Sequence, residues 1–229
     1  MGDHRAKAAL FDMLGEVAGA LSAGRRGEIV DVLAQGERSV EEVAVEIDQS
    51  TANTSHHLRV LARAGLVRSR REGTRIHYRL AGPEVEDLWV ALRRVAEAVR
   101  DDLGRLAQGY LGDGADIEVV SRAELHERLA GGTVTVLDVR PAAEYQAGHV
   151  PGARSVPLED LADLEGEITP GLPVVAYCRG PYCVFAPAAV RALRARGISA
   201  ARLEDGFPEW RRSGLPVAVG GEPGVPRGL

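Results

Sequence analysis

Val174-Val175-Ala176-Tyr177-Cys178-Arg179-Gly180-Pro181-Tyr182-Cys183 is the stretch on which the fold turns. Its first four residues are an unbroken apolar run, which reads as a strand buried on both faces, and the glycine and proline behind Cys178 read as a tight loop. Residues 134–139 and 200–203, apolar apart from Thr135, Asp138 and Arg202, are short runs that read as further buried strands, and segments of helical periodicity separate the three. A mainly parallel sheet covered by helices is the expected α/β architecture, because strands buried on both sides need no apolar-polar alternation. The loop holds the only two cysteines of the chain, Cys178 and Cys183. A helix is expected to begin near Val184. Backbone N–H groups of the loop and the positive end of that helix would surround the Cys178 sulfur, lower its pKa and stabilise first a thiolate and then a persulfide.

Toward the N-terminus the rhythm changes at residues 109–116, where three glycines fall within eight residues and periodicity is lost, as in a linker. The chain of 229 residues therefore divides into an N-terminal domain (1–108), a linker (109–116), a second domain (117–218) and a Gly/Pro-rich flexible tail (219–229). Each domain has about 100 residues, enough to bury its own core. The composition, 45% hydrophobic and 27% charged, is that of a globular protein, and no apolar run approaches the roughly 18 residues that span a bilayer. The first residues lack the basic stretch and apolar core of a secretory signal, so a cytoplasmic setting is expected, where thiols stay reduced.

The N-terminal domain reads as mainly α. Leu10, Leu14, Val17 and Leu21 form one apolar stripe, and Ile29, Val32 and Leu33 open another. Ser39 and Glu42 have the spacing of a capping box ahead of a short helix. The next helix starts near Ser50-Thr51, runs through Leu58 and Leu61 and stops at Gly65. From Leu66 to Leu80 apolar and polar residues alternate on both sides of a Glu72-Gly73 turn, the pattern of a β-hairpin. One long helix is expected from about Pro83 to Gln108, with a seam of Leu88, Leu92, Val95, Val99, Leu103 and Leu106 that needs a partner. The net charge is -5, yet residues 49–80 carry seven arginines against one acid, Glu72. A cationic surface inside an acidic protein is the footprint of nucleic-acid binding. Ser50, Thr51, Asn53, Ser55, His56, His57 and Arg59 on the helix suit base edges and phosphates in the major groove, and Arg70, Arg71 and Arg75 in the hairpin suit phosphates or the minor groove.

Ser55-His56-His57-Leu58, Leu61, Ala64-Gly65-Leu66-Val67, Arg71-Glu72-Gly73 and Tyr78-Arg79-Leu80 resemble the winged helix-turn-helix repressors of the ArsR/SmtB family, over roughly residues 5–105. The resemblance implies a homodimer held by its first and last helices, which binds double-stranded operator DNA at an inverted repeat and releases it when a ligand binds. Many members of that family sense metals through a Cys-Val-Cys motif. Here the corresponding segment is Glu42-Val43-Ala44-Val45-Glu46, and the last helix has no histidine. No metal and no cofactor is therefore expected, and sensing falls to the other domain.

That domain carries Leu137-Asp138-Val139-Arg140, Glu144-Tyr145, Gly148-His149-Val150-Pro151-Gly152-Ala153, the Cys178 loop, Asp205-Gly206-Phe207 and Gly214-Leu215-Pro216-Val217 in one order. Together they resemble a single rhodanese-like domain over about residues 117–217. The resemblance implies that Cys178 accepts sulfane sulfur, with Arg179 as an anion-attracting neighbour, whereas Asp138, Arg140, Glu144 and His149 read as an ion-paired structural frame and not as catalysts. Cys183 stands where a hydroxyl residue is common, which departs from thiosulfate turnover. It reads either as a thiol that attacks a Cys178 persulfide or as a small buried hydrophobe. Three functions fit these residues: a repressor responsive to persulfide, polysulfide or oxidant; a sulfurtransferase with an attached DNA-binding domain; and a repressor responsive to arsenicals or metals through the two thiols.

Overall fold

A computed structural model describes residues 3–112, 117–164 and 167–221. The chain separates into two compact units, divided between Val99 and Arg100.

The first unit contains α1 (His4–Ala20), α2 (Gly24–Ala34), β1 (Arg38–Ser39), α3 (Val40–Glu46), α4 (Thr51–Arg63), β2 (Val67–Glu72), β3 (Arg75–Leu80) and α5 (Pro83–Val99). Each boundary has a local cause. The Ser39 hydroxyl accepts from the Glu42 N–H at 3.2 Å while the Glu42 carboxylate accepts from the Ser39 N–H at 2.7 Å, closing the capping box that starts α3. Ser50 caps α4 in the same manner through the Asn53 N–H. Past the end of that helix Gly65 takes φ +75°, a conformation open to glycine without a Cβ penalty. The three strands form an antiparallel sheet in the order β1-β3-β2. Its core gathers Ile29, Val30 and Leu33 of α2, Val43 of α3, and Leu58 and Leu61 of α4. Gly27 lets α2 approach α5, since a Cβ there would lie 2.6 Å from the Trp89 ring, whose Nε1–H donates to Asp31.

The long helix expected over 83–108 is two helices, because α5 stops at Val99 and α6 (Leu103–Leu111) begins after a turn. Arg100 grips the Asp102 carboxylate with two hydrogen bonds, 2.9 and 3.1 Å. Residues two apart do not face each other on a helix, so this pair and a continuous helix exclude one another. The same finding moves the expected linker: residues 109–111 are the last turn of α6, Gly112 follows with φ +79°, and residues 113–116 lie outside the described residues.

After α6 the second unit runs β4 (Val119–Val120), α7 (Arg122–Ala130), β5 (Thr135–Asp138), α8 (Ala142–Ala147), β6 (Arg154–Ser155), a short 3-10 turn (Leu158–Asp160), β7 (Val174–Tyr177), α9 (Phe185–Ala195), β8 (Ala200–Leu203) and α10 (Phe207–Arg212). The five strands form one sheet, β4-β8-β7-β5-β6, in which every pairing is parallel. Alternate residues of β7 enter different cores. Val174 and Ala176 pack with Ala189, Val190 and Leu193 of α9, whereas Val175 and Tyr177 pack with Leu125, Phe207 and Trp210 on the other side. Hydrogen bonding continues past the expected boundary at 218: the Gly220 N–H donates to Gln146, and Gly221 accepts from its side chain. The rest of the expected tail, 222–229, lies outside the described residues.

Candidate thiol pocket and nucleic-acid interface

The Cys178 loop leaves the end of β7 and enters α9 at Phe185, as the strand-loop-helix reading requires. Three contacts fix its path. Arg179 places its guanidinium on the Glu144 carboxylate, 2.6 Å at the shortest. The Phe207 N–H donates to the Cys178 carbonyl at 3.0 Å. Gly206 lies against the backbone of Arg179 and Gly180 so closely that a Cβ would overlap it. Behind the loop stands the expected ionic frame. Asp138 and Arg140, both fully buried, pair at 2.6 Å; the Tyr177 hydroxyl donates to Asp138 at 2.6 Å; and the Val150 N–H donates to that hydroxyl at 3.1 Å. His149 stacks on Tyr145, with ring centroids 3.6 Å apart.

Two expectations for this loop change. Arg179 is committed to Glu144 rather than held open for an incoming anion, because a guanidinium so nearly buried needs a carboxylate partner. Nor is the Cys178 pKa lowered. Amides of Gly180 and Ala186 do reach its sulfur, but burial outweighs them and pushes the thiol well above the ordinary range. The lowered thiol is Cys183, because Cys178 donates to its sulfur, and the amides of Phe185 and Arg179 add to the effect against the cost of burial.

Both thiols open on one cavity of about 380 Å3. Ile117, Ala186 and Pro187 give it apolar walls, and Arg191 and Arg202 stand on its lining. Gln108, Leu111 and Gly112, from the end of α6, supply a further wall, and Arg191 donates to the Leu111 carbonyl at 3.4 Å. Among the described residues no three His, Cys, Asp or Glu side chains cluster in a way that would hold a metal ion.

On the first unit, α4 exposes Thr51, Asn53, His56 and Arg59, and Ser55 is partly exposed. Arg59 also donates to the Ser55 carbonyl. Two residues expected at DNA are otherwise engaged. The Ser50 hydroxyl is used by the helix cap. His57 is half-buried with an unpartnered Nδ1, and its pKa is lowered by burial first and then by the charges of Arg26, His56 and Arg25, which places it toward α2. In the hairpin Arg70 is held by Glu37 at 2.5 Å and by Glu72 at 2.5 Å, so it is not the free cation expected. Arg71 bonds the Gly73 carbonyl, and Arg75 is exposed. The register brings forward a pair that the sequence reading leaves out: Arg68 lies directly across the ladder from Arg79. Like charges so placed repel each other, and an anion between them relieves the repulsion. Counting outward from the Glu72-Gly73 turn would have found this pair, since 72 opposite 75 puts 68 opposite 79.

The comparisons with known proteins match each unit to a different family. Residues 24–69 match the family model described as bacterial regulatory protein, arsR family, and residues 121–213 match the rhodanese-like domain. The HTH-type transcriptional regulator Rv0324 of Mycobacterium tuberculosis is 47% identical over 219 residues, 96% of either chain. Among solved structures, the homodimeric winged helix-turn-helix DNA-binding domain (fragment 1-100) of Mb0332 from Mycobacterium bovis, a possible ArsR-family transcriptional regulator, is 42% identical with a TM-score of 0.41, covering 44% of this chain and 94% of that one. The Alr3790 protein from Anabaena sp. is 30% identical with a TM-score of 0.40, covering 44% of this chain and 80% of that one. With a winged helix-turn-helix in its first unit and a parallel-sheet rhodanese-like fold in its second, the chain belongs to the ArsR family of bacterial transcriptional regulators and carries a rhodanese-like domain behind its DNA-binding domain.

Proposed function

We propose that this regulator binds its operator as a homodimer and is controlled by sulfane sulfur, delivered by a persulfide, polysulfide or thiosulfate, at the Cys178–Cys183 pair. The observation that carries the reading is the shared cavity: both thiols line it together with the last turn of α6, the helix by which the chain passes from the first unit into the second. A sulfur atom added there, or a bond drawn between the two cysteines, alters the cavity that Leu111 and Gly112 also line, and that shared lining is the route to the connecting helix. Dimer formation is supported by two apolar rows left exposed, Leu10, Phe11 and Leu14 of α1 and Leu88, Leu92, Val95 and Val99 of α5. Two such symmetric copies address an inverted repeat.

The test is a DNA-binding titration on a duplex selected by the protein from a random pool, with and without a persulfide donor. The donor is expected to weaken wild-type binding by about fivefold or more, the range of useful couplings, and to leave the Cys178→Ser/Cys183→Ser protein unchanged. Equal responses in both proteins refute the reading. The buried Asp138–Arg140–Tyr177 frame also supports a working sulfurtransferase; thiosulfate turnover lost in Cys178→Ser would favour it. An arsenical or metal response has two thiolates and no third clustered donor among the described residues.

A further inference from the structure

Arg202 is the charged residue of β8, a strand otherwise made of Ala200, Ala201 and Leu203. Residues two apart on a strand share a face, and Ala200 belongs to the core that Cys178 shares with α9, so Arg202 stands on the side of the sheet that holds the thiol cavity and forms part of its lining. It is half-buried there. Its Nη1 donates to the carbonyls of Leu203 and Glu204, each at 3.1 Å, and among the described residues no carboxylate pairs with it. The Asp205 carboxylate, on the same lining, is drawn to Arg122 at 3.6 Å. A part-buried cation held by carbonyl dipoles is costly, and an anion entering the cavity offsets that cost through charge-assisted hydrogen bonds.

Position and size decide which anion. The two carbonyls hold the guanidinium toward the end of β8, one strand over from β7, whose end carries Cys178, and neighbouring strands lie about 4.8 Å apart. The charge therefore addresses a group several bonds from the sulfur being transferred. In thiosulfate the oxygens are on the atom next to the sulfane sulfur. In an organic persulfide, R–S–SH, a carboxylate on R is set apart from it by a carbon body, for which Ile117, Ala186 and Pro187 offer apolar surface. The cavity volume of about 380 Å3 also falls within the range of about 300–1,000 Å3 that suits small organic molecules.

We propose, resting on the reading above, that the sulfur donor is an organic persulfide bearing a carboxylate, and that Arg202 selects it, with Arg191 on the same lining as a second cation. The Cys178 sulfur attacks the outer sulfur of R–S–SH, the donor S–S bond breaks, and R–S⁻ leaves with the electron pair and takes up the proton that Cys178 gives up. The products are the Cys178 persulfide and R–SH, and no oxidant is consumed.

The experiment follows the gain of one sulfur atom by the reduced full chain, as intact mass after an iodoacetamide quench. Three donors are titrated: glutathione persulfide, its diethyl ester, which keeps the body and lacks the free carboxylates, and thiosulfate. The half-saturating concentration is expected to be about tenfold lower for the acid than for the ester, the size of one charge-assisted hydrogen bond, with thiosulfate slower than the acid. Arg202→Gln is expected to raise the value for the acid to that for the ester, and Arg202→Lys to keep most of the preference. Should Arg202→Gln misfold, the wild type decides, because equal values for acid and ester, or thiosulfate as fast as the acid, overturn the proposal. So does a preference that survives Arg202→Gln, or a loss in that variant that falls equally on acid and ester. All of these leave the sulfur-responsive reading standing; no sulfur gained from any of the three donors overturns both.

Discussion

Arg179 and Glu144 form a forked ion pair, 2.6 Å at its shortest, in which the carboxylate is fully buried and the guanidinium nearly so. The charge beside the reactive loop is thus a fastening: it ties the loop to α8. Breaking a buried pair from one side leaves the other charge uncompensated, at a cost of about 3–5 kcal/mol. Glu144→Ala is expected to destabilise the second unit by that amount in urea unfolding and to change the rate of thiol alkylation. An unchanged midpoint would count against the fastening.

Gly206 makes a sharper demand. Its φ of -120° is ordinary extended backbone, so the requirement is for space and not for conformation. A methyl group there overlaps the backbone of Arg179 and Gly180, neither of which can rotate away. Gly206→Ala is expected to cost about 1–3 kcal/mol, the range for overpacking, and to displace the loop enough to alter Cys183 alkylation. The two readouts should move together. Stability lowered with thiol reactivity intact would mean that the loop does not rest on this glycine.

In the wing the arginines should fall into two groups. Arg71 and Arg75 are exposed, and Arg68 faces Arg79, whereas Arg70 is shared by Glu37 and Glu72. Alanine at Arg68, Arg71, Arg75 or Arg79 is expected to weaken DNA binding alike on all sequences and to reduce the slope of log K against log salt by about 0.9 for each phosphate no longer neutralised. Arg70→Ala is expected to have the smallest effect of the five, because its carboxylate partners already neutralise it. Equal slopes for Arg70→Ala and Arg75→Ala would contradict the grouping.

Alkaline pH should destabilise the second unit. In the unfolded chain Cys178 ionises at about 8.5 and Tyr177 at about 10, while in the folded protein burial first, with Asp138 beside Tyr177, holds both protons to higher pH. The folded state therefore binds more protons in that window, and stability falls as pH rises through it, by up to about 1.4 kcal/mol per pH unit for each group. Cys183 has the opposite sign. Its lowered thiol loses its proton before the unfolded one does, so below about 8.5 it adds stability as pH rises. Urea unfolding between pH 7 and 11 should show a maximum followed by a decline, and Cys178→Ser should flatten the decline. Stability that keeps rising through pH 10 would rule this out.

Local chemistry makes most of the architecture legible. Ser39 with Glu42, Gly65, and the Glu72-Gly73 turn mark boundaries by rules that act within four residues, and the structure places helix, helix end and hairpin there. The buried strand ahead of Cys178 is equally plain, since a run with no polar break fits only a sheet covered on both sides. The split between α5 and α6 is not, because the spacing of Val99, Leu103 and Leu106 continues the helical repeat through the Arg100–Asp102 turn and an ion pair overrides it. Tertiary facts are hidden in the same way: Glu37 reaching Arg70 from 33 residues away, Glu144 reaching Arg179, and the burial that raises the Cys178 thiol where the sequence predicts a lowered one. None of these follows from the neighbours of a residue along the chain.

The turn at Arg100–Asp102 makes the two units separable. Because α5 closes the first unit at Val99, that unit ends with its core complete and its apolar row of Leu88, Leu92, Val95 and Val99 intact, while Leu103, Leu106 and Tyr110 belong to α6. A splice at this point severs no helix and leaves the core cluster of each unit whole. Another domain joined after Val99 inherits a finished winged helix-turn-helix, and another domain joined before Arg100 inherits the thiol cavity with its α6 wall attached.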